Sequence, residues 1–372
     1  MIEKLVLIGL LVLPFFVWPG MDTREPKYLL AAALSLLVAL WGLRAGIRPY
    51  RNPWALAFVA FAFLGFLLSP SIGIVVSGVP MASWVLQAFF YLLVFFLAHV
   101  VIAGAAIGIP RVLDTMILAG VVMSVYAFLQ HLKMDQFFNP TYLIAGTLGN
   151  PDLLAPFLAM IVPIALYRRK TLVAVGLGTM VFFINSQVAY GAMVVSLLFL
   201  FGTRSVPARI VAVTVGALLA SFLAFGPGRA FVHDGGRFAV NAQVVRDLQN
   251  PIVLEGVASR KYSLTGFGLG SFRYLFHVQH PIAEMGDTFV EAHNDYAEIL
   301  YNTGVLGLGL FLVALLTFVR SCYPLDRLQA HLLASFVCIA VCAGGIFAWQ
   351  NGAIIFYTLV ITGMLVGRSQ QT

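Results

Sequence analysis

A chain of 372 residues that is 61% hydrophobic and 10% charged cannot build a water-soluble shell, since soluble domains run about 45–50% apolar and about 25% charged. The same figures, with a mean hydropathy of +0.95, exclude a disordered chain, which would be polar and poor in aromatic residues. They leave a polytopic membrane protein, because a spanning helix needs roughly 20 mostly apolar residues.

Twelve apolar runs follow one another along the chain, at about 2–20, 28–47, 53–70, 84–108, 111–131, 152–167, 171–186, 189–203, 208–226, 297–320, 329–349 and 352–367. Each is expected to be a helix, since backbone groups in lipid must be satisfied within the segment. The first run, Leu5 to Trp18, ends at Pro19-Gly20 without a small-x-small pattern, so it reads as a span and not as a cleavable signal. The expectation is an all-α polytopic membrane protein of about 12 transmembrane helices. Residues 1–226 would supply the first nine spans, 227–296 one large outer loop and 297–372 the last three.

Lys and Arg set the orientation. With the N-terminus inside, thirteen cations fall on cytoplasmic segments: Lys4, Arg44, Arg48, Arg51, Arg111, Arg168, Arg169, Lys170, Arg204, Arg209, Arg320, Arg327 and Arg368. Three, Arg24, Lys27 and Lys133, fall on short outer loops. Both termini are therefore expected in the cytoplasm. The net charge of +7 reflects this topology, and nucleic acid is not an expected partner. Cys322, Cys338 and Cys342 lie in or beside one apolar run and read as buried packing residues.

The outer loop concentrates what little charge the chain has. It holds Arg229, Arg237, Arg246, Arg260, Lys261 and Arg273, four of the seven histidines and seven of the fifteen acids. Loops on a rigid scaffold commonly carry function, and guanidinium forks bind phosphate at any working pH. Gly266, Gly268 and Gly270 lie between these cations. They lack the βαβ context of a dinucleotide site and read as a turn that lets backbone approach something closely.

Downstream, His293-Asn294-Asp295-Tyr296 leads into the tenth span. Asp295 with Glu298 fits a capping box. That leaves His293 just ahead of a helix N-terminus, either as ordinary polar capping or as a proton-transfer or phosphate-contacting group. Asn150-Pro151-Asp152 reads as a second helix start, with Asn150 as the cap and Pro151 at the first helical position. Pro156 and Pro163 should kink the span that follows. Asp114, near an inner helix end, is expected to be solvated or paired with Arg111. No charged ladder crosses the spans, as an ion pathway would require. No compact His or acid spacing marks a metal site, and no cofactor is expected.

Four segments in this order, GTLGNPD from Gly146, Gly235-Gly236-Arg237, TGFGLGSF from Thr265 and HNDYAEILYNTGVLGLGLF from His293, resemble the O-antigen ligase and polymerase superfamily. By motif the resemblance covers roughly residues 140–320. It implies a GT-C-like membrane glycosyltransferase in a bacterial inner membrane, with the large loop and active site facing the periplasm. The implied reaction transfers a glycan from undecaprenyl diphosphate to an acceptor hydroxyl on lipid A-core or a similar glycan or lipid. The resemblance assigns the family histidine to His293 and its loop arginine to Arg237. Arg260, Lys261 and Arg273 would help hold the diphosphate. Asn150, Asn294, Asp295 and Tyr296 would support the acceptor and the site. The step would invert the anomeric centre without a metal.

This chain departs from the family pattern at Ala189-Tyr190-Gly191, where relatives often carry Ser-Arg-Gly, and at Asn302, where they commonly carry an acid. The tryptophan that often follows the family's GR motif is also absent. A polymerase would show the same motifs, but GTLGNPD together with HNDY looks more ligase-like. A lipid-linked glycan flippase or exporter is the non-enzyme alternative, and a peptidoglycan-type glycosyltransferase is a third possibility.

Overall fold

The computed structural model describes residues 1–17, 24–47, 52–68, 82–105, 107–134, 144–184, 186–205, 262–272, 275 and 292–369. Among these the chain is helical, with no strand. The helices are α1 (Ile2–Val12), α2 (Arg24–Arg44), α3 (Pro53–Leu67), α4 (Ala82–Gly104), α5 (Ile109–His131), α6 (Pro151–Tyr167), α7 (Thr171–Ile184), α8 (Gln187–Gly202), α9 (Asp295–Ser321), α10 (Arg327–Cys342) and α11 (Gly352–Ser369). Two 3₁₀ turns, η1 (Gly146–Leu148) and η2 (Ala348–Gln350), precede α6 and α11. Each of these α-helices falls on an expected apolar run. The run at 208–226 and most of the long loop lie outside the described residues.

Three described stretches, Pro26–Arg44, Ile109–His131 and Asp295–Ser321, are long and apolar enough to cross a membrane, and seven more form shorter apolar helices. The outward positions of the long helices are also apolar. Leu37 and Leu40 on α2, Leu118, Val122 and Val125 on α5, and Leu312 and Leu316 on α9 are all exposed. A protein in water keeps such large apolar surfaces small, so the exterior is that of a membrane-embedded protein.

The core forms around α6. Every residue from Leu153 to Leu166 is buried, as expected for a helix that is apolar on all sides. It packs against α5, α7, α8 and α10, while α2, α4 and α11 form a neighbouring group and α3 pairs with α9. Pro156 and Pro163 are accommodated within one uninterrupted helical segment. Cys322, Cys338 and Cys342 are buried free thiols, as packing residues should be.

The helices have two chemically distinct ends. At one end, Arg168 grips Asp114 through Nε at 3.1 Å and Nη2 at 2.7 Å, and Lys170 adds a third contact at 3.1 Å. The expected Asp114–Arg111 pairing gives way to this fork. Arg111 instead meets Glu3 at 3.5 Å, and Glu3 also accepts the Gly108 N–H at 3.2 Å. The other end carries buried polar contacts, described next.

Candidate functional site

The site is built where the N-termini of α2, α6 and α9 meet η2. Asn150 is the N-cap of α6. Its side-chain oxygen accepts the Asp152 N–H at 2.8 Å, and Pro151 occupies the first turn, as the sequence predicts. Just upstream, Gln130 Oε1 accepts the N–H groups of Ala145 and Gly146 at 3.1 and 2.8 Å. This pins the GTLGNPD segment to the end of α5.

His293 has φ of 50°, a left-handed conformation uncommon outside glycine, although histidine adopts it more readily than most side chains. Its half-buried ring meets Phe347 edge-on, with centroids 4.8 Å apart at 88°. The turn at His293 leaves Asn294 extended, and Asn294 closes the first turn of α9 by accepting the Ala297 N–H at 3.0 Å. The cap is thus Asn294 and not Asp295. Glu298 still reaches back over the turn, to the Ala292 N–H at 3.4 Å.

Freed from capping, the Asp295 carboxylate turns inward. It is buried, accepts the Trp349 N–H at 2.9 Å and lies 3.4 Å from Gln350 Nε2, which donates to Glu298 at 2.6 Å. Asp295 also donates its backbone N–H to Ala343 O at 2.8 Å. Tyr296 donates its hydroxyl to Ala340 O at 2.8 Å and packs on Trp349 with centroids 5.6 Å apart. Asp295, Glu298 and Tyr296 therefore fasten the start of α9 to the α10–α11 connection that carries Phe347, the ring beneath His293.

Sequence reading misses two contributors. Lys27, expected as an outer-loop cation, is fully buried. Its ammonium donates to the Phe16 carbonyl and, at 2.7 Å, to the Thr147 carbonyl of η1. The next residue, Tyr28, donates its hydroxyl to Trp349 O at 2.6 Å. Lys27 and Tyr28 thus join the GTLGNPD segment to η2, and Asp295 joins η2 to His293. The 347–351 connection is the second omission, because an apolar run broken by Gln350 and Asn351 reads as a span boundary. Gln350 Oε1 and Asn351 Nδ2 are buried without a hydrogen-bond partner among the described residues.

The loop of 262–272 docks beside this site. Phe267 and Phe272 pack against Ala292, Ala297 and Tyr301. Phe267 stacks on Tyr301 with centroids 4.5 Å apart at 20°. Its backbone enters a break in α9 at Gly304, where φ is 68° and ψ is −175°. The N–H groups of Phe267 and Gly268 donate to Tyr301 O and Asn302 O at 3.0 and 2.9 Å. Those of Val305 and Leu306 donate to Ser263 O and Leu264 O at 2.8 and 3.3 Å. The close approach expected of the glycine cluster is this one. A Cβ on Gly266 would sit 2.4 Å from the Asn302 backbone.

Of the expected site residues, the structure brings Asn294, Asp295 and Tyr296 together beside His293, and Lys27, Tyr28 and Trp349 connect this group to the segment that Asn150 caps. Arg237, Arg260, Lys261 and Arg273 lie outside the described residues. Among those described, no group of three His, Cys, Asp or Glu could hold a metal ion. No family model and no curated protein matches the chain.

Proposed function

We propose that the chain is a glycosyltransferase of the O-antigen ligase type, acting at the periplasmic face of a bacterial inner membrane on a GT-C-like scaffold of about 12 spans. It would transfer a glycan from undecaprenyl diphosphate to a hydroxyl of lipid A-core or a similar acceptor. The observation that carries this reading is the linkage, at one end of the helices, of three of the four segments on which the resemblance rests. The TGFGLGSF loop packs on Ala292 and Tyr301 beside His293, and the GTLGNPD turn reaches the start of α9 through Lys27, Tyr28 and Trp349.

The chemistry suits such a site. A lipid diphosphate is already a leaving group, so the protein must stabilise the charge that develops on it and hold the acceptor in line. In a direct displacement the acceptor oxygen bonds to the anomeric carbon, the carbon–phosphate-oxygen bond breaks and configuration inverts. His293 orients the hydroxyl and takes its proton, or contacts phosphate. Arg237 holds the diphosphate, with Arg260, Lys261 and Arg273 supporting it. Buried Lys27 ties the GTLGNPD segment to the N-terminal helices through the Phe16 and Thr147 carbonyls, and the apolar exterior offers a path for the polyprenyl chain. Asn150, Asn294, Asp295 and Tyr296 act as supports that hold the site in shape.

The test is transfer by purified His293→Ala and Arg237→Ala variants, using an undecaprenyl-diphosphate-linked glycan and either lipid A-core or a second lipid-linked glycan as acceptor. Loss of about 10²-fold or more in each is expected for acid–base and phosphate-stabilising groups. Near-wild-type turnover by both folded variants would overturn the assignment. Product with lipid A-core marks a ligase, and product with the second lipid-linked glycan marks a polymerase. Movement of the glycan across vesicles without a new glycosidic bond would replace the enzyme with a flippase. Activity abolished by chelation and restored by a divalent ion would overturn the metal-free step.

A further inference from the structure

A cleft lies at the opposite end of the helices, and nothing in the proposed glycosyl transfer uses it. Between the end of α6 and the start of α10 is a cleft of about 460 Å³ lined by Tyr167, Arg168, Arg169, Asp326, Arg327 and Leu328. Its acids are already engaged. Asp326 caps α10 by accepting the Gln329 N–H at 2.8 Å, and neighbouring Asp114 is held by both Arg168 and Lys170. Two cations are not so engaged, since Arg169 and Arg327 have no carboxylate partner among the described residues. Both are exposed.

The geometry of this end fixes the backbone at Arg169 and seats Arg327 near an aromatic ring. Arg169 sits at φ of 58° in the turn that ends α6, fixed by its own N–H to Leu166 O at 3.0 Å and by Lys170 N–H to Ala165 O at 2.9 Å. Arg327 lies 5.8 Å from the centroid of the Tyr167 ring. Tyr167 in turn packs edge-on against His331, with centroids 5.5 Å apart. The His331 Nε2 is buried without a partner among the described residues. Counting Asp114, Arg168, Arg169, Lys170, Asp326 and Arg327, four cations face two anions, an excess of two positive charges. Leu172, beside Lys170, is 89% exposed, which leaves an apolar residue flanking the cationic cleft.

We infer that this cleft binds a phosphate group, presented by an anionic lipid headgroup or as free phosphate, through Arg169 and Arg327. Guanidinium groups match phosphate oxygens, both arginines line the same cleft, and basic clefts between membrane helices are suited to anionic headgroups.

The experiment is native mass spectrometry of the full chain in detergent, with phosphatidylglycerol or phosphatidylcholine added, for the wild type and for Arg169→Ala/Arg327→Ala. We expect one phosphatidylglycerol retained per wild-type chain and roughly a tenfold weaker retention by the double variant. An Arg169→Lys/Arg327→Lys variant keeps the charge and should recover much of the loss. Displacement of the lipid by millimolar inorganic phosphate assigns the site to the free ion, and persistence of the lipid assigns it to the headgroup. Both support phosphate recognition. Equal phosphatidylglycerol retention by wild type and a double variant with an unchanged melting temperature would overturn the site, as would equal retention of phosphatidylcholine.

Discussion

Asn302 carries two hydrogen bonds on a single oxygen. Its Oδ1 accepts from Ser271 Oγ and from the Phe272 N–H, both at 3.0 Å. An aspartate at this position would offer the same acceptor oxygen. We predict that Asn302→Asp unfolds within a few degrees of wild type, whereas Asn302→Leu leaves two buried donors orphaned and costs about 2–4 kcal/mol; thermal unfolding in one detergent separates them. Asp295 makes the complementary case. Its two oxygens face the Trp349 N–H and the Gln350 amide, so Asp295→Asn must turn an NH₂ toward one of these donors. A loss of about 1–3 kcal/mol is expected. On the proposed function, glycan transfer should fall further than stability alone explains, because Asp295 holds the connection that places Phe347 under His293; transfer equal to wild type at a temperature where both proteins are folded would refute that coupling. The chemistry of these residues is legible in sequence, but their exact roles are not. A cap at Asp295 is the natural local reading, and it shifts by one residue because His293 adopts a left-handed conformation that no sequence pattern announces.

At the scale of elements, the break in α9 is the most specific feature. Gly304 sits in a region of backbone space that is essentially restricted to glycine, and a Cβ there would lie 2.5 Å from the Leu264 carbonyl. Gly309, further along the same helix, has nothing within 4 Å of its Cβ position. Gly304→Ala is predicted to cost about 3 kcal/mol or more through strain and overlap, while Gly309→Ala should be neutral or stabilising by up to about 1 kcal/mol. Comparable melting temperatures for the two variants would show that the loop of 262–272 is not seated in the break. The sequence exposes half of this arrangement. Three closely spaced glycines demand a close backbone approach, but Gly304 looks like an ordinary member of an apolar run, because its partner is some forty residues distant in sequence. The same limit explains Asp114. Arg111, three residues away, is the local candidate, yet Arg168 prevails because two parallel contacts from the end of α6 outcompete one from the same helix. Local signals that need no distant partner, such as Asn150-Pro151-Asp152, are read correctly.

For the whole molecule, composition and periodic apolar runs are enough to place every described α-helix, since each must bury its own backbone and meet either lipid or another apolar helix. The division of the bundle into a cationic end and a buried polar end is also anticipated by where Lys and Arg fall along the chain. Lys27 is the exception, because an ammonium preceding an apolar run looks solvated until Phe16 and Thr147 supply its carbonyl partners. If α5 spans the bilayer, its two ends must open to opposite sides, with the Arg111 end inside by the bias of positive charge. Arg111 has a side chain 80% exposed in a weak pairing with Glu3, and Met134, just past the other end of α5, is 64% exposed. Both can be replaced at little cost to the fold. With the buried native cysteines changed to alanine or serine, Met134→Cys should react with a membrane-impermeant maleimide in spheroplasts, and Arg111→Cys only in inverted membrane vesicles. The reverse pattern would turn the molecule over and place His293 on the cytoplasmic side, against the proposed periplasmic site. Labelling of both cysteines from one side would remove α5 from the set of spanning helices, and the alternation of ends on which the position of the site depends would fail with it.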